Sequence, residues 1–348
     1  HPGQIHGPTV LAPRIRLMKT HTVNRSLFTV TPYREAEQAE WEEFVAASNN
    51  GTIFHTRKFL SYHPVDRFKD HSLVFFDKGR RIAQFPAVDF QDNGRRILIS
   101  HRGASYGGLL VKPHCSLEES FRLVATLLAY AREAGFDAVD LTPPPMIYLR
   151  KPSHYIDFSL LQNGFAYRKR EVSSVIPLDY HRDHILYTFT EGSRRAVRRS
   201  QKLGVQVRES EEYERFYAIL KKNLRLRHNV TPTHSLDELL TLRALFPEAI
   251  RLFAAYHGDT MVAGVVLFTC NPKVVLAFYI SHDEAYQQFR GVNLLFHDII
   301  DWSLRQGHQF LDFGIFTVNE DPNWGLARFK ESFGSLGVFR DSLQCPLR

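Results

Sequence analysis

The segment Gln288-Phe-Arg-Gly291-Val-Asn293 follows an apolar strand predicted over residues 274–280 and precedes a helix predicted over residues 294–305. It stands where the first turn of a helix leaves backbone N–H groups without intrahelical partners. Those N–H groups and the positive end of the helix dipole suit a phosphate. The pattern predicts a phosphate-binding turn, with an ordinary helix-capping turn as the alternative, and its members are Gln288, Phe289, Arg290, Gly291, Val292 and Asn293.

A second informative segment, Gly325-Leu-Ala-Arg-Phe329-Lys330-Glu-Ser-Phe333-Gly334, follows a strand predicted over residues 310–313. Its leucine and phenylalanines recur at helical spacing, which predicts a helix with one buried face. Lys330 directly follows Phe329 in that helix. An exposed surface lysine is the ordinary expectation for such a position.

Two segments nearer the N-terminus are rich in glycine and in arginine. Ser100-His101-Arg-Gly103-Ala-Ser-Tyr106-Gly107-Gly108 follows a predicted strand, and its glycines allow a close backbone approach. Arg194-Arg195-Ala-Val-Arg198-Arg199 places like charges at i, i+4 on one predicted helix. Such charges repel, so an anionic ligand would relieve them; a solvated basic face is the alternative.

In order and spacing these segments resemble the FemAB-like branch of the GNAT acyltransferases, over about residues 41–340. The turn at 288–293 approaches the Gln/Arg-x-x-Gly-x-Gly/Ala element with which GNAT proteins hold the pyrophosphate of acyl-CoA. Asn293 departs from that element at its last position. The segment from Gly325 is similar to the GL-x-x-FK-x-x-FG segment of FemAB-like proteins.

The resemblance implies roles for individual residues. Phe329 and Lys330 would position and stabilise the reacting acyl group, and Tyr279 would give a proton to the leaving thiolate. Core packing is the alternative for Tyr279, and a structural histidine for His101. The implied substrate-binding residues are His101, Tyr106, Gly107, Arg195, Arg199 and Arg227.

The chain also contains an internal repeat. In each half, a predicted helix ends at a glycine and a short apolar strand then ends at an aspartate, Asp140 or Asp312, about 170 residues apart. The repeat predicts two copies of one α/β unit. The resemblance implies that they are two tandem GNAT-like domains in an α/β (α+β) fold, each a mixed, mostly antiparallel twisted sheet flanked by helices. The predicted divisions are a disordered or non-native arm (1–25), an N-terminal domain (26–180) and a C-terminal domain with the donor site (181–348).

Composition limits the partners. Net charge is +7 with a pI near 9.3, which favours anionic or phosphate-bearing ligands. Three cysteines without a C-x-x-C spacing predict neither a metal site nor a disulfide framework, so a cytoplasmic location is expected. No apolar run approaches the roughly 18 residues of a membrane span.

Together these patterns predict an N-acyltransferase that moves an acyl group from acyl-CoA, as donor co-substrate, to an amine by direct attack in the cleft between the domains. The acceptor would be a small molecule or a cell-envelope precursor, and no metal is expected. The general base is not identified; Asp312 and Glu320 are candidates by position only. Two alternatives remain: a tRNA-dependent aminoacyltransferase acting on a peptidoglycan precursor, and a non-catalytic GNAT-like binding module.

Overall fold

The structure, a computed structural model, describes residues 26–228 and 231–347, and the side chains of residues 225–228 are not described. The arm predicted over residues 1–25 lies outside the described residues.

The described strands, in chain order, are β1 (Thr29–Pro32), β2 (Lys69–Asp70), β3 (Leu73–Asp77), β4 (Arg80–Phe85), β5 (Val88–Asp92), β6 (Arg95–Ser100), β7 (Leu110–Val111), β8 (Ala138–Leu141), β9 (Ala166–Pro177), β10 (Gln206–Ser210), β11 (Ile250–His257), β12 (Thr260–Asn271), β13 (Val274–His282), β14 (Phe310–Ile315), β15 (Thr317–Val318), β16 (Asp321–Pro322) and β17 (Leu336–Pro346). The described α-helices are α1 (Gln38–Ala47), α2 (Arg57–Leu60), α3 (Leu117–Glu133), α4 (Tyr155–Gln162), α5 (Ile185–Thr188), α6 (Glu191–Lys202), α7 (Tyr213–His228), α8 (Leu236–Leu245), α9 (Gly291–Arg305) and α10 (Trp324–Glu331).

One large sheet runs through both halves of the described chain. Its strand order is β10-β11-β12-β13-β14-β9-β17-β8-β6-β5-β2, while β1-β3-β4-β7 form a smaller sheet and β15-β16 a hairpin. Only β13–β14 and β6–β8 pair in parallel among the described strands. The prediction of mixed, mostly antiparallel sheets is therefore confirmed.

The internal repeat is visible in the two parallel pairs. Gly135 lies just after the helix before β8, and Gly307 lies just after the helix before β14; their φ angles are 77° and 78°. This left-handed conformation costs glycine little, which explains why both helices end there. Asp140 and Asp312 then occupy β8 and β14. The tandem arrangement predicted from the sequence is confirmed.

Strands β4 and β5 are separate, because the chain leaves one sheet for the other between them. Strand β4 ends at Phe85 and β5 begins at Val88. Pro86 has no N–H to give to a ladder, so it interrupts the strand. Ala87 instead donates its N–H to the Ser72 hydroxyl at 3.1 Å.

Alternate side chains of β12 pack into two hydrophobic cores, one on each face of the sheet. Val266 and Phe268 pack with α7 and α8 on one face, and Val265 and Leu267 pack with α9 on the other. The continuous apolar sequence of β12 reflects burial on both faces.

The last strand connects the halves. Strand β17 lies between β9 and β8, and its Leu343 and Cys345 belong to the core of the first half. The domain division at residues 180 and 181 stays a prediction.

Candidate active site

Two neighbouring strands of the large sheet separate in the second half of the chain. Strands β13 and β14 pair in parallel only from Val274–Phe310 to Leu276–Asp312, although both continue further. The β12–β13 register moves from Val266–Tyr279 to Leu267–Ala277, which leaves Phe278 as an extra residue without a β12 partner. Such a bulge bends the strand and frees a backbone group.

The gap between these strands opens into a cleft of about 630 Å³ between the two halves. Residues from both halves line it: Phe54, Phe59, Gly103, Ala104, Ser105, Tyr106, Ser173, Thr233, His234, Leu276, Ala277, Phe278, Tyr279, Ile280, Phe313, Gly314, Ile315, Leu326, Lys330 and Arg340. Two of these are basic residues, Lys330 and Arg340, and none is a carboxylate. The described lining is therefore aromatic and cationic.

Lys330 is a buried residue of the cleft wall and not a surface lysine, with only 3% of its area exposed. Its Nζ donates to the carbonyl oxygens of Phe313 at 2.9 Å and of Gly314 and Ile315 at 2.8 Å. Burial lowers the Lys330 pKa to about 8, and Asp312 opposes that shift. Three carbonyl acceptors match the three N–H donors of an ammonium, so they favour its charged form. Lys330 thus supplies charge to the cleft but has no unused N–H.

Asp312 holds the two halves together beneath the cleft. It is fully buried and accepts hydrogen bonds from the hydroxyls of Tyr148 and Ser173, each at 2.6 Å, and from the Gly314 N–H at 2.8 Å. A carboxylate with these partners is a structural acceptor. It does not line the cleft, so it is not placed to deprotonate a bound amine.

Glu320, the other candidate base, lies on the exposed turn between β15 and β16. It accepts the Arg170 N–H at 2.9 Å and is absent from the cleft lining. Neither carboxylate therefore has the position that a general base in the cleft requires.

Tyr279 lies in the cleft wall and is joined to His234. The Tyr279 hydroxyl lies 2.8 Å from His234 Nδ1 and accepts the His234 backbone N–H at 3.1 Å. Burial raises the pKa of Tyr279 to about 12 and lowers that of His234 to about 4. At neutral pH the pair therefore consists of a protonated phenol and a neutral imidazole.

The glycine-rich loop of the first half contributes only part of its predicted pocket. Tyr106 lines the cleft, and its ring packs 5.0 Å from that of Tyr148. His101 and Gly107 do not line it. His101 is buried with its ring 5.9 Å from that of Phe68, and burial lowers its pKa to about 4. A side chain at Gly107 would meet the backbone of the Ser100–His101 peptide at 2.3 Å, so close chain packing requires the glycine.

The predicted phosphate-binding turn differs from expectation, because helix α9 begins at Gly291 and not at residue 294. Arg290 precedes it in the left-handed conformation, with φ 54°, and Asn293 bonds to Ser193 at 3.3 Å. A Cβ on Gly291 would lie 2.9 Å from Val262 Cγ2, so the glycine packs the helix against β12. None of residues 288–293 lines the cleft. The binding role of Gln288, Phe289, Arg290, Gly291, Val292 and Asn293 stays a prediction.

The arginine-rich segment forms helix α6, as predicted. Arg195 and Arg199 are exposed, and Arg195 has a weak ion pair with Glu191 at 3.5 Å. The helix is anchored by its other face, where Val197 is buried. The Arg227 side chain lies outside the described residues.

Sequence reasoning missed His234 and Arg340. His234 lies just before helix α8, and Arg340 lies on β17; both reach the cleft only through the tertiary fold. The local sequence around these residues carried no signal for either. The described residues contain no group of three or more His, Cys, Asp or Glu side chains that could hold a metal ion.

The sequence model of the acetyltransferase (GNAT) domain matches residues 189–331, which contain β13, β14 and Lys330. The whole fold is similar to FemX, with a TM-score of 0.70 over 91% of this chain and 96% of that chain at 13% identity. Residues 189–331 therefore have the sequence pattern of an acetyltransferase (GNAT) domain, in a chain whose fold is similar to that of FemX.

Two further solved structures share this fold. The tandem GNAT protein from the clavulanic acid biosynthesis pathway superposes with a TM-score of 0.53 over 92% of this chain and 99% of that chain, at 12% identity. L-PGS from Bacillus licheniformis superposes with a TM-score of 0.56 over 89% of this chain and 92% of that chain, at 14% identity. No curated protein sequence matches the chain. Within the described residues, no helix combines the length and apolar character that a membrane span requires.

Proposed function

We propose that this enzyme transfers an acyl group from acyl-CoA to an amine in the cleft between its two halves, by direct attack without a covalent enzyme intermediate. The supporting observation is the separation of β13 and β14 at the Phe278 bulge, opposite buried Lys330. The open edge of β13, the extra residue Phe278 and the buried ammonium of Lys330 all line this cleft. These are the features that a thioester carbonyl needs as negative charge develops on its oxygen.

In the proposed reaction the donor thioester lies along β13. The Phe278 N–H donates to the carbonyl oxygen, and the charge of Lys330 stabilises the developing oxyanion. Phe329 supports Lys330 by packing against the rings of Phe313 and Phe333, whose centroids lie 6.5 and 5.2 Å from its own. The pyrophosphate would lie at the first turn of α9, where helix N–H groups and Arg290 suit an anion.

The acceptor amine enters in its neutral form and attacks the carbonyl carbon. The carbon–sulfur bond then breaks, the acyl group stays on nitrogen, and the thiolate leaves. Tyr279 gives its proton to that thiolate and becomes a phenolate. The new amide nitrogen then loses its extra proton to this phenolate, which restores the phenol. Because its pKa is raised to about 12, Tyr279 holds its proton at neutral pH and can act as the acid.

The donor class is tested by thermal shift with acetyl-CoA, longer acyl-CoAs and aminoacyl-tRNA. A donor at about 100 times its dissociation constant adds about 2.7 kcal/mol to the unfolding free energy. We expect stabilisation by one or more acyl-CoAs and a smaller effect of free CoA. Stabilisation by aminoacyl-tRNA alone would contradict the proposal.

A second candidate is an aminoacyltransferase that takes its acyl group from tRNA, for a peptidoglycan-precursor acceptor. The exposed arginines of α6 favour it, since Arg195 and Arg199 are free to meet a phosphate backbone. Under this candidate, removing both arginines raises the KM for the tRNA donor and flattens its salt dependence. Under the acyl-CoA proposal the double variant keeps its tRNA-independent turnover.

The three cysteines of the chain are free, as a reducing compartment requires. We therefore include a cytoplasmic location in the proposal, with an amine-bearing small molecule or cell-envelope precursor as acceptor. A secreted, disulfide-linked form of the enzyme would contradict this part.

A further inference from the structure

Arg340 is a charged group of the cleft that the proposed reaction does not use. Its guanidinium forms one hydrogen bond with the described residues, from Nη2 to the Ser105 carbonyl oxygen at 2.9 Å. Its Nε is buried without an acceptor among those residues. Its guanidinium lies 5.3 Å from the centre of the Tyr106 ring. This side chain is therefore fixed in place but only partly satisfied.

The carboxylates near Arg340 are already committed to other partners. Glu171 is its cross-strand neighbour, yet Glu171 pairs with Lys169 at 2.6 Å and accepts the Glu320 N–H at 3.3 Å. No ion pair within 4 Å joins Arg340 to any described carboxylate. The Tyr106 hydroxyl lies 3.5 Å from the Asp312 carboxylate, which already accepts a hydrogen bond from Tyr148. The positive charge of Arg340 is left for a ligand.

From this arrangement we propose that Arg340 binds a carboxylate of the acceptor, so that the substrate class is an amino-acid-like or peptide-like amine. The proposal rests on the proposed function, because it places the acceptor in the same cleft. One partly paired, planar guanidinium matches the single negative charge and the geometry of a carboxylate. The aromatic walls, formed by Phe54, Phe59, Tyr106 and Phe278, suit the apolar part of such a molecule.

A carboxylate at Arg340 also agrees with the other charges of the cleft. Lys330 donates all of its N–H groups to protein carbonyls, so it cannot form a direct bond with the same anion. No described carboxylate lines the cleft to repel it. Arg340 is then the group that fixes the acceptor's orientation, and Lys330 is left to act on the donor carbonyl.

The test uses product-like probes, so that it does not depend on turnover. Calorimetry compares N-acetylphenylalanine with N-acetylphenylalaninamide, and N-acetylalanine with its amide, on the wild-type chain. A charge-assisted hydrogen bond predicts that the carboxylate forms bind about 10- to 100-fold more tightly than the amides. Arg340→Gln keeps a donor for Ser105 but loses the charge, so this preference falls below about threefold. Arg340→Lys retains part of it, and exposed Arg328→Gln retains all of it.

Equal affinity of the carboxylate and amide probes, or no binding of either, would overturn the proposal. A preference that survives in Arg340→Gln would do so as well. Melting temperatures of each variant show whether a lost preference reflects lost folding. Failure of the wild-type chain to acylate any amine would overturn the proposed function, while the binding preference would still stand or fall on the calorimetry.

Discussion

The Tyr148 hydroxyl donates a 2.6 Å hydrogen bond to the buried Asp312 carboxylate, and so links the first half of the chain to β14 beneath the cleft. Both residues have no exposed area. Ser173 donates a second 2.6 Å bond to the other oxygen of the same carboxylate. The strand that separates from β13 is therefore held by two hydroxyl groups of the first half of the chain.

We predict that Tyr148→Phe lowers the unfolding free energy by about 1–3 kcal/mol, because it removes one bond to a buried charge. Asp312→Asn should lower the unfolding free energy by a similar amount, because an amide NH2 replaces one of the two carboxylate oxygens that accept hydrogen bonds. A double-mutant cycle by chemical denaturation should give a coupling energy of about 1–2 kcal/mol between the two residues. Additive effects would show that the bond contributes little to stability.

Lys330→Met tests the buried cation. Replacing an exposed surface lysine, which is what the sequence pattern leads one to expect at this position, would change stability little. The structure predicts a loss of about 1–3 kcal/mol, because the carbonyls of Phe313, Gly314 and Ile315 lose their donor. We also expect kcat and kcat/KM to fall together by roughly 10- to 100-fold, since the charge acts on the transition state.

The matched control for that variant is Lys221→Met, at an exposed position of α7 outside the cleft. It should change neither stability nor turnover. A Lys330→Met protein with raised KM and unchanged kcat would show that Lys330 only binds substrate.

Gly291→Val should destabilise the protein by about 1–3 kcal/mol. The reason is overpacking, because a Cβ at this position already lies 2.9 Å from Val262 Cγ2 and 3.3 Å from Ala255 Cβ. Chemical denaturation checks this. Gly192→Ala is the control: its Cβ meets no atom within 4 Å and lies in helix α6, so it should stabilise slightly. Equal stability of the Gly291→Val variant and the wild type would contradict the packing role.

Stability should fall as pH drops from about 6.5 toward 4. Burial lowers the pKa of His55, His101 and His234 to about 4, whereas unfolded histidine titrates near 6.5. Between these values the unfolded chain binds more protons, so the unfolding free energy rises with pH. Each histidine contributes up to about 3 kcal/mol at neutral pH that is lost on acidification. Denaturation at several pH values measures the slope, and His234→Gln should reduce it; an unchanged slope would mean that His234 does not contribute.

The local sequence predicts much of the fold, because the residues within and next to most helices and strands indicate where those elements lie and where they end. Asn93-Gly94 and Gly307 end elements where a positive φ is needed, and the apolar run of β12 reflects burial on both faces. Pro86, which has no N–H, marks the break between β4 and β5. The exchange of sheets at that point depends on pairing with distant residues, which local pattern does not record.

The site was less predictable, since its chemistry depends on tertiary contacts. Resemblance singled out Lys330 and Tyr279, and both lie in the cleft. The three carbonyls that surround Lys330 come from the end of β14, and spacing within α10 does not show them. Arg340 and His234 reach the cleft from β17 and from the segment before α8. Only the fold brings them beside Tyr106 and Tyr279.

The central claim, acyl transfer from CoA to an amine inside this cleft, is tested most directly by measuring thiol release and N-acyl product in the same reaction. The comparison is between the wild type, Ser105→Trp, which places a large side chain in the cleft wall, and Glu214→Trp at an exposed site of α7. We predict one thiol per N-acyl product for the wild type and Glu214→Trp, and at least a tenfold lower rate for Ser105→Trp. Full activity of a folded Ser105→Trp protein, or thiol release without N-acyl product, would contradict the account.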